Sequence, residues 1–286
     1  MVLIADGGST KCDWILLDSK GDVKLKTRTL GLNPAVFKQE VLEERLKENS
    51  ELKSICDIVE TVHFYGAGCG TKTPKQNLKE TLQNYFYAAK EIEVNEDMAA
   101  AVYAATTKPG IVCILGTGSN SCYFDGKDIH MAVDSLGYIL MDEASGNYFG
   151  KRLIRDYYYN KMPIKLKKEF AARFDLDSDV IKMNLYKKEN PNMYLASFAE
   201  FIFTSEVGDL NAYFYKLIEE GMLKFIERRI LCFKEAQHVP IHFIGSIAHF
   251  SEDIIRECFE PYQLELGSII RRPIDGLIQY YKDNIL

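Results

Sequence analysis

Three short stretches of this chain place glycine and hydroxyl residues directly after an apolar run: Asp6-Gly-Gly-Ser-Thr10, Gly116-Thr-Gly-Ser-Asn120 and Gly245-Ser-Ile-Ala248. Glycine lets the backbone approach an anion closely, and successive N–H groups in such a turn can form a nest for one. The hydroxyls of Ser9, Thr10, Thr117 and Ser119 add donors, and Lys11 adds a positive charge. An acidic residue, Asp6, leads the first turn. No G-x-x-x-x-G-K-[ST] is present, which excludes a P-loop. No G-x-G-x-x-G leads into a helix, which disfavours a dinucleotide-binding turn.

Strands must carry these turns. Val2–Ala5, Trp14–Leu17 and Val23–Leu30 read as an antiparallel meander, turned by Asp18–Asp22 and ended by Gly31-Leu-Asn33-Pro34. A charged helix over 37–49 follows, then a strand over 61–65 that runs into Gly66-Ala-Gly-Cys-Gly70. Thr73-Pro74 predicts a helix start, with Leu78, Leu82, Tyr85, Phe86 and Ala89 on one apolar face. A strand over 91–94 and an alanine-rich helix over 98–105, opened by Asn95-Glu-Asp97, complete an α/β layered pattern.

Lys108-Pro109-Gly110 is the expected domain boundary, dividing the chain into 1–107 and 108–286. The opening pattern then returns as strands over 111–115, 121–124 and 127–132, the last two joined at Asp125-Gly126. Gly8, Ser9 and Cys12 recur as Gly118, Ser119 and Cys122, each shifted by 110, which points to an internal duplication. From 147 onward the pattern is mainly helical, with core-packed helices expected over 195–203 and 213–233. Tyr157–Tyr159, Phe198, Phe201 and Phe203 are expected in the core or an interface rather than around a ligand. A strand over 241–244 leads through Gly245 into a helix reaching Ile255. A final helix over 275–283 is left open to pack back on the first domain.

Composition narrows the function classes. The chain has 286 residues, and 35 basic against 41 acidic residues give a net charge of −6, which argues against nucleic acid as the main partner. The start, Met1-Val-Leu-Ile-Ala-Asp6, lacks a basic n-region, and no apolar run approaches the ~20 residues of a membrane span. Seven scattered cysteines without a C-x-x-C pair fit a reduced, cytoplasmic protein. His238 and His242 are interrupted by Pro240, so they do not form a helical metal-ligand pair.

The first two glycine turns resemble the phosphate-1 and phosphate-2 hairpins of the actin/hexokinase/heat-shock ATPase superfamily (ASKHA), and Gly245-Ser-Ile-Ala248 resembles its adenosine motif. More closely, the chain resembles the N-acetylglucosamine kinase and BadF-type ATPase family. The stretches that carry this are Asp6–Lys11, Gly31–Pro34, Tyr65–Cys69, Asn95–Ala100, Gly116–Asn120 and Met141–Gly146. The resemblance implies two actin-like (ribonuclease H-like) α/β domains with a nucleotide cleft between them. It implies ATP-dependent phosphorylation of a sugar hydroxyl, with N-acetylglucosamine to its 6-phosphate as the leading reaction. On that basis Asp6 would hold Mg²⁺ and Asp97 would be the general base. Gly8, Ser9, Thr10, Lys11, Thr117, Gly118 and Ser119 would contact the phosphates of ATP, Gly245 and Ser246 the adenosine, and Asn33, Asn120 and Asp142 the sugar.

From the residues alone, Asp97 could equally be a helix cap and Asn33 a turn former. One stretch departs from the family pattern: Gly-Asp-Glu-Gly-Ser appears as Met141-Asp-Glu-Ala-Ser145. Two other readings of the same family remain: an ATPase that activates a dehydratase or reductase, and a non-catalytic sugar sensor. Scattered cysteines disfavour the iron–sulfur cluster of the first, and retention of Asp6 and Asp97 disfavours the second. A sugar is the expected partner, and a homodimer is left open.

Overall fold

A computed structural model describes residues 1–8, 10–206 and 212–286, so Ser9 lies outside the described residues. The first part of the chain forms β1 (Val2–Gly7), β2 (Lys11–Leu17), β3 (Val23–Leu30), α1 (Gln39–Lys47), α2 (Ser50–Lys53), β4 (Thr61–Gly66), α3 (Lys72–Tyr85), β5 (Glu91–Glu96) and α4 (Asp97–Ala105). Next come β6 (Gly110–Leu115), β7 (Ser119–Phe124), β8 (Ile129–His130), α5 (Gly146–Tyr158), α6 (Ile164–Arg173), α7 (Ser178–Tyr186), α8 (Pro191–Ser197), α9 (Glu200–Thr204) and α10 (Ala212–Phe225). The chain ends with β9 (Ile241–Ile244), α11 (Ser246–Phe250), α12 (Glu252–Phe259), β10 (Leu266–Ile270) and α13 (Pro273–Asn284). Two units result: Met1–Thr106 with Arg272–Leu286, and Thr107–Arg271.

In the first unit the sheet order is β3-β2-β1-β4-β5, antiparallel across β1–β3 and parallel across β1, β4 and β5. Side chains of a strand alternate between faces, and here both faces are buried. Leu3 and Ala5 join Trp14, Phe64, Leu42, Leu78 and Leu82 against α1 and α3. Ile4 joins Ile15, Leu17, Ala100, Leu277 and Tyr281 against α4 and α13. The C-terminal helix is held there by a 2.7 Å hydrogen bond between the Tyr65 and Tyr281 hydroxyls. A Cβ at Gly276 would stand 2.7 Å from the Ala104 carbonyl, so only glycine allows this approach to α4.

The second unit repeats the plan as β8-β7-β6-β9-β10. Its main core lies on one face, where Cys113, Leu115 and Phe243 meet Phe149, Phe198, Phe201, Phe225 and Ile255. The architecture is duplicated, but a shift of 110 does not join equivalent positions. In the first hairpin Gly7 pairs with Cys12, and Gly8 N–H donates to Lys11 O at 2.8 Å. In the second, Leu115 pairs with Ser119 across a turn in which Gly116 N–H donates to Gly118 O at 3.0 Å. Cys12 is therefore at the mouth of its turn, whereas Cys122 pairs with Val112, three residues further along its strand. The turns differ in length, and that difference displaces the matching letters.

Several elements differ from their sequence reading. Helix α3 starts at Lys72, so Pro74 falls inside the first turn, where its missing N–H is still harmless. Phe86 and Ala89 are buried beyond that helix rather than on it. Strand β8 keeps only Ile129 and His130. The helix expected over 195–203 is split between α8 and α9, and α10 passes into a π-turn over 226–230. Tyr157 packs on the core, but Tyr158 and Tyr159 are exposed. Strand β10 escapes the sequence because Gly267 and Ser268 interrupt its apolar pattern, and its register with β9 shifts at that place. No described helix is long and apolar enough to cross a membrane.

Gly150 gives a stability test. A glycine inside a helix normally gains about 1 kcal/mol on change to alanine. Here the new Cβ would lie 1.7 Å from the Leu195 carbonyl, where α5 crosses the chain at α8. Gly150→Ala is expected to destabilise the protein by about 1–3 kcal/mol in denaturant unfolding; an unchanged or raised midpoint would contradict this packing.

Candidate functional site

In the first unit the chemistry-bearing residues collect where β1, β4 and β5 end together. The rungs run Asp6–Tyr65–Asn95 and Gly7–Gly66–Glu96. The carboxyl edge of parallel strands is the usual ligand edge of open α/β sheets. Alternation puts Asp6 on the face of Ile4, toward α4, while Lys11 and Asp13 share the corresponding face of β2 with Ile15. Asp97 is the first residue of α4, directly after β5.

This crowding shows in the acidities. Burial, then the charges of Asp97 and Asp13, push the Asp6 carboxyl up to about 7, with Lys11 pulling the other way. Burial, then Glu96, push Asp97 up to about 6, while the backbone N–H groups of Met98 and Asp97 itself pull it down. The N-cap of α4 is Glu96 and no side chain caps that helix, so Asp97, its first residue, is not the cap that the residues alone allowed. Asp13 is engaged by Arg28 Nε at 2.6 Å and by Lys11 Nζ at 3.7 Å. Asp6 and Asp97 are thus the carboxyls poised to change protonation near neutrality.

Asn33 is tied to the same edge. Gly31 N–H donates to Thr10 O at 3.0 Å and Leu32 N–H to Gly8 O at 3.1 Å, clamping the 31–34 loop onto the hairpin turn. The buried Asn33 side chain accepts Ala35 N–H at 3.0 Å, as a turn former does. It lies against Gly68, where φ is +81° and a Cβ would stand 2.0 Å from Asn33 Oδ1. The first unit therefore brings together Asp6, Gly8, Thr10, Lys11, Asn33 and Asp97; the expectation for Ser9 falls outside the described residues.

In the second unit Gly116 and Thr117 precede β7, and their carbonyls accept the N–H groups of Gly146 and Asn147 at 2.8 and 3.0 Å. The first turn of α5 is thereby locked to the glycine turn. Ser145 caps this helix by accepting Tyr148 N–H at 3.3 Å and donates to Asp142 O at 2.6 Å. Asp142 is buried, and its carboxylate accepts Ser119 N–H at 3.3 Å and Asn147 Nδ2 at 2.8 Å. Burial pushes its carboxyl above the usual carboxylate range, and these two bonds counter the rise. Gly118 is required here, because a Cβ would meet Asp142 Oδ2 at 2.8 Å.

The 141–145 loop is strained. Asp142 and Ala144 have φ of +70° and +57°, each costing about 1–2 kcal/mol for a residue with a Cβ. Ala144 thus occupies, as a non-glycine, a conformation suited to the glycine of the related pattern. Ser119 Oγ is buried with no hydrogen-bond partner, a donor in want of an acceptor. Asn120 Oδ1 accepts Ser121 N–H at 2.9 Å and the guanidinium of the buried Arg229, which also donates to Val133 O at 3.2 Å.

Gly245 lies against this turn. Its φ is +122°, and a Cβ would stand 2.2 Å from the Leu115 carbonyl. Its N–H donates to Ile270 O at 2.9 Å, and the exposed Ser246 begins α11. The second unit so assembles Thr117, Gly118, Ser119, Asn120, Asp142, Gly245 and Ser246 at the carboxyl ends of β6 and β9. The sequence reading missed Asn147 and Arg229, and it placed Gly68 in the Tyr65–Cys69 stretch without a role. Asn147 stood five residues beyond Asp142 as a visible signal, whereas Arg229 arrives from a remote helical stretch that nothing local marks.

Residues 5–210 match the BadF/BadG/BcrA/BcrD ATPase family. A provisionally named N-acetylglucosamine kinase from Porphyromonas gingivalis is 35% identical, with 100% of each chain covered and a TM-score of 0.91. A second provisionally named N-acetylglucosamine kinase, from Chromobacterium violaceum, is 14% identical over 98% of each chain, with a TM-score of 0.76. A ROK family glucokinase from Streptomyces griseus, solved with glucose and AMPPNP, is 13% identical over 98% of this chain and 97% of its own, with a TM-score of 0.60. The last two share the fold. With its two five-stranded sheets, each carrying glycine turns at its carboxyl edge, this chain belongs to the BadF/BadG/BcrA/BcrD ATPase family, on the two-domain actin-like fold of sugar kinases.

Proposed function

We propose that the protein is an ATP-dependent kinase that phosphorylates a sugar hydroxyl, with N-acetylglucosamine, converted to its 6-phosphate, as the leading substrate. The observation that carries this reading is the pair of carboxyls at one sheet edge, Asp6 raised to about 7 and Asp97 to about 6, beside a glycine hairpin. Asp97 is the general base that takes the proton of the attacking hydroxyl, a role worth about 10²–10⁴-fold in rate. Asn33, Asn120 and Asp142 orient sugar hydroxyls. Gly8, Ser9, Thr10, Lys11, Thr117, Gly118 and Ser119 bind phosphates, the unpartnered Ser119 hydroxyl being suited to a phosphate oxygen. Gly245 and Ser246 hold the adenosine. The choice of sugar rests on the name of the 35% identical relative.

Mg²⁺ fits this donor set. Among the described residues no group of three acidic, histidine or cysteine side chains could hold a metal by itself. Magnesium, however, takes only one or two carboxylates and completes its shell with water and phosphates. Asp6, destabilised as an anion by burial and by Asp97, is the carboxylate such an ion would relieve. When bound, Mg²⁺ neutralises phosphoryl charge.

The buried thiols do not support an electron-transferring activator. Cys12, Cys69, Cys113, Cys122 and Cys258 are buried, and burial pushes each thiol up, away from the thiolate form that ligates a cluster.

The proposal is tested by coupled ADP release with N-acetylglucosamine, glucosamine, N-acetylmannosamine, glucose and no sugar. N-acetylglucosamine is expected to stimulate most. Equal rates in all five would overturn the kinase reading, and a glucose preference would overturn only the substrate.

Asp6 also makes a stability prediction. Its carboxyl ionises near 4 in the unfolded chain and near 7 in the folded one. The folded state then holds the extra proton between these values, so metal-free stability falls as pH rises from about 4 to about 7. Asp6→Asn should therefore abolish Mg-ATP turnover yet stabilise the metal-free protein at pH 8 by roughly 1–3 kcal/mol, with little gain at pH 4. Denaturant unfolding at the two pH values checks this; a loss of stability at pH 8 would contradict the placement of Asp6.

A further inference from the structure

The second unit has a cavity of about 490 Å³ that none of the roles above uses. Its wall carries Lys151, Arg152 and Arg155 from α5, Lys161 from just beyond that helix, and Lys224 from α10. Two carboxylates also line it, and both are engaged. Glu143 is paired with Arg228, and Asp156 accepts the Tyr213 hydroxyl at 2.8 Å. The cations are less well matched. Arg152 Nη1 and Lys224 Nζ converge on one neutral atom, the Tyr148 hydroxyl oxygen, at 3.5 and 3.3 Å. Arg152 has Glu220 at 3.1 Å, but Lys224, Arg155 and Lys161 form no ion pair among the described residues. Lys151 is spent on the Tyr138 carbonyl at 3.0 Å.

Arg152 and Lys224 are half-buried and Arg155 and Lys161 exposed, and with one carboxylate, Glu220, against these four cations the wall is left with a surplus of positive charge. An anion would neutralise that surplus. We propose that this cavity is a binding site for a phosphate dianion, carried either by a sugar phosphate or by free inorganic phosphate. A guanidinium fork beside ammonium groups matches a dianion with several acceptor oxygens better than a single carboxylate. The volume also suits a small phosphorylated molecule.

The site bears on the Asp142 loop. Met141 and Glu143 line the cavity, while Asp142 between them turns its carboxylate to Ser119 and Asn147. Because that loop is held in left-handed backbone at Asp142 and Ala144, an anion seated against its outer side would alter how Asp142 is presented. If the sugar-kinase reading holds, on which this consequence rests, the cavity lets phosphorylated product or phosphate adjust the sugar site.

The test is calorimetric titration with inorganic phosphate and, separately, N-acetylglucosamine 6-phosphate. The full chain is held at saturating ADP and N-acetylglucosamine, and wild type is compared with Arg155→Ala/Lys224→Met. Wild type is expected to bind at least one of the two, and the double variant to bind it about tenfold or more weakly. Its kcat/KM without added phosphate should be unchanged. Tighter binding of the ester assigns the site to sugar phosphate; equal or tighter binding of phosphate assigns it to the free anion. No binding by wild type, or undiminished binding by a variant with a wild-type unfolding midpoint, overturns the proposal. Sugar turnover by wild type is measured alongside: binding without turnover would sink the kinase reading and leave this site standing.

Discussion

Asp97→Asn is expected to lower kcat for sugar phosphorylation by about 10²–10⁴-fold while leaving ATP affinity within about twofold. The change is nearly isosteric and removes only the capacity to accept a proton. Asp97 is the first residue of α4, whose start no side chain caps, so the helix start does not depend on its charge. A pH profile sharpens the test. A base must be deprotonated to act, so wild-type kcat/KM should rise with pH through the region of about 6 to 7 set by Asp97 and Asp6 together. Near-normal turnover by the variant would remove Asp97 from the chemistry.

Gly245→Ala is expected to cost the second unit about 2–5 kcal/mol and to weaken ATP binding tenfold or more. Its φ of +122° and ψ of 163° lie in a region that only glycine occupies readily. The added Cβ would also stand 2.2 Å from Leu115 O, on the strand that carries the Gly116 turn. Relief requires either the start of α11 or the end of β6 to move, and both hold proposed nucleotide contacts. Denaturant unfolding and an ATP titration measure the two effects. A variant with unchanged midpoint and affinity would show that this turn does not shape a nucleotide site.

Much of this arrangement is legible in the chain because its signals are local. Strand β1 is a short apolar run, and the residues that matter follow it at once: Asp6, then the glycines. Asp97 is legible for the same reason, since a strand and an alanine-rich helix meet there. Signals fail where a position is set by distant parts of the fold. Arg229 reaches Asn120 across 109 residues of sequence. Strand β10 depends on an existing β9 edge, to which it adds with a shifted register. The offset of 110 misleads because letters recur while turn length does not, so a one-dimensional match cannot see which residues face across a hairpin. Loop strain at Asp142 and Ala144 is likewise invisible until φ is known, although the replacement of a glycine by Ala144 marks the place.

Identification of the product decides whether the protein is a sugar kinase. Protein, Mg-ATP and N-acetylglucosamine are incubated together, and the mixture is resolved by mass spectrometry and phosphorus NMR. One N-acetylglucosamine 6-phosphate is expected per ADP released, with little ADP when the sugar is omitted. ADP released at the same rate without sugar, and no phosphorylated sugar in the mixture, would contradict sugar-kinase activity.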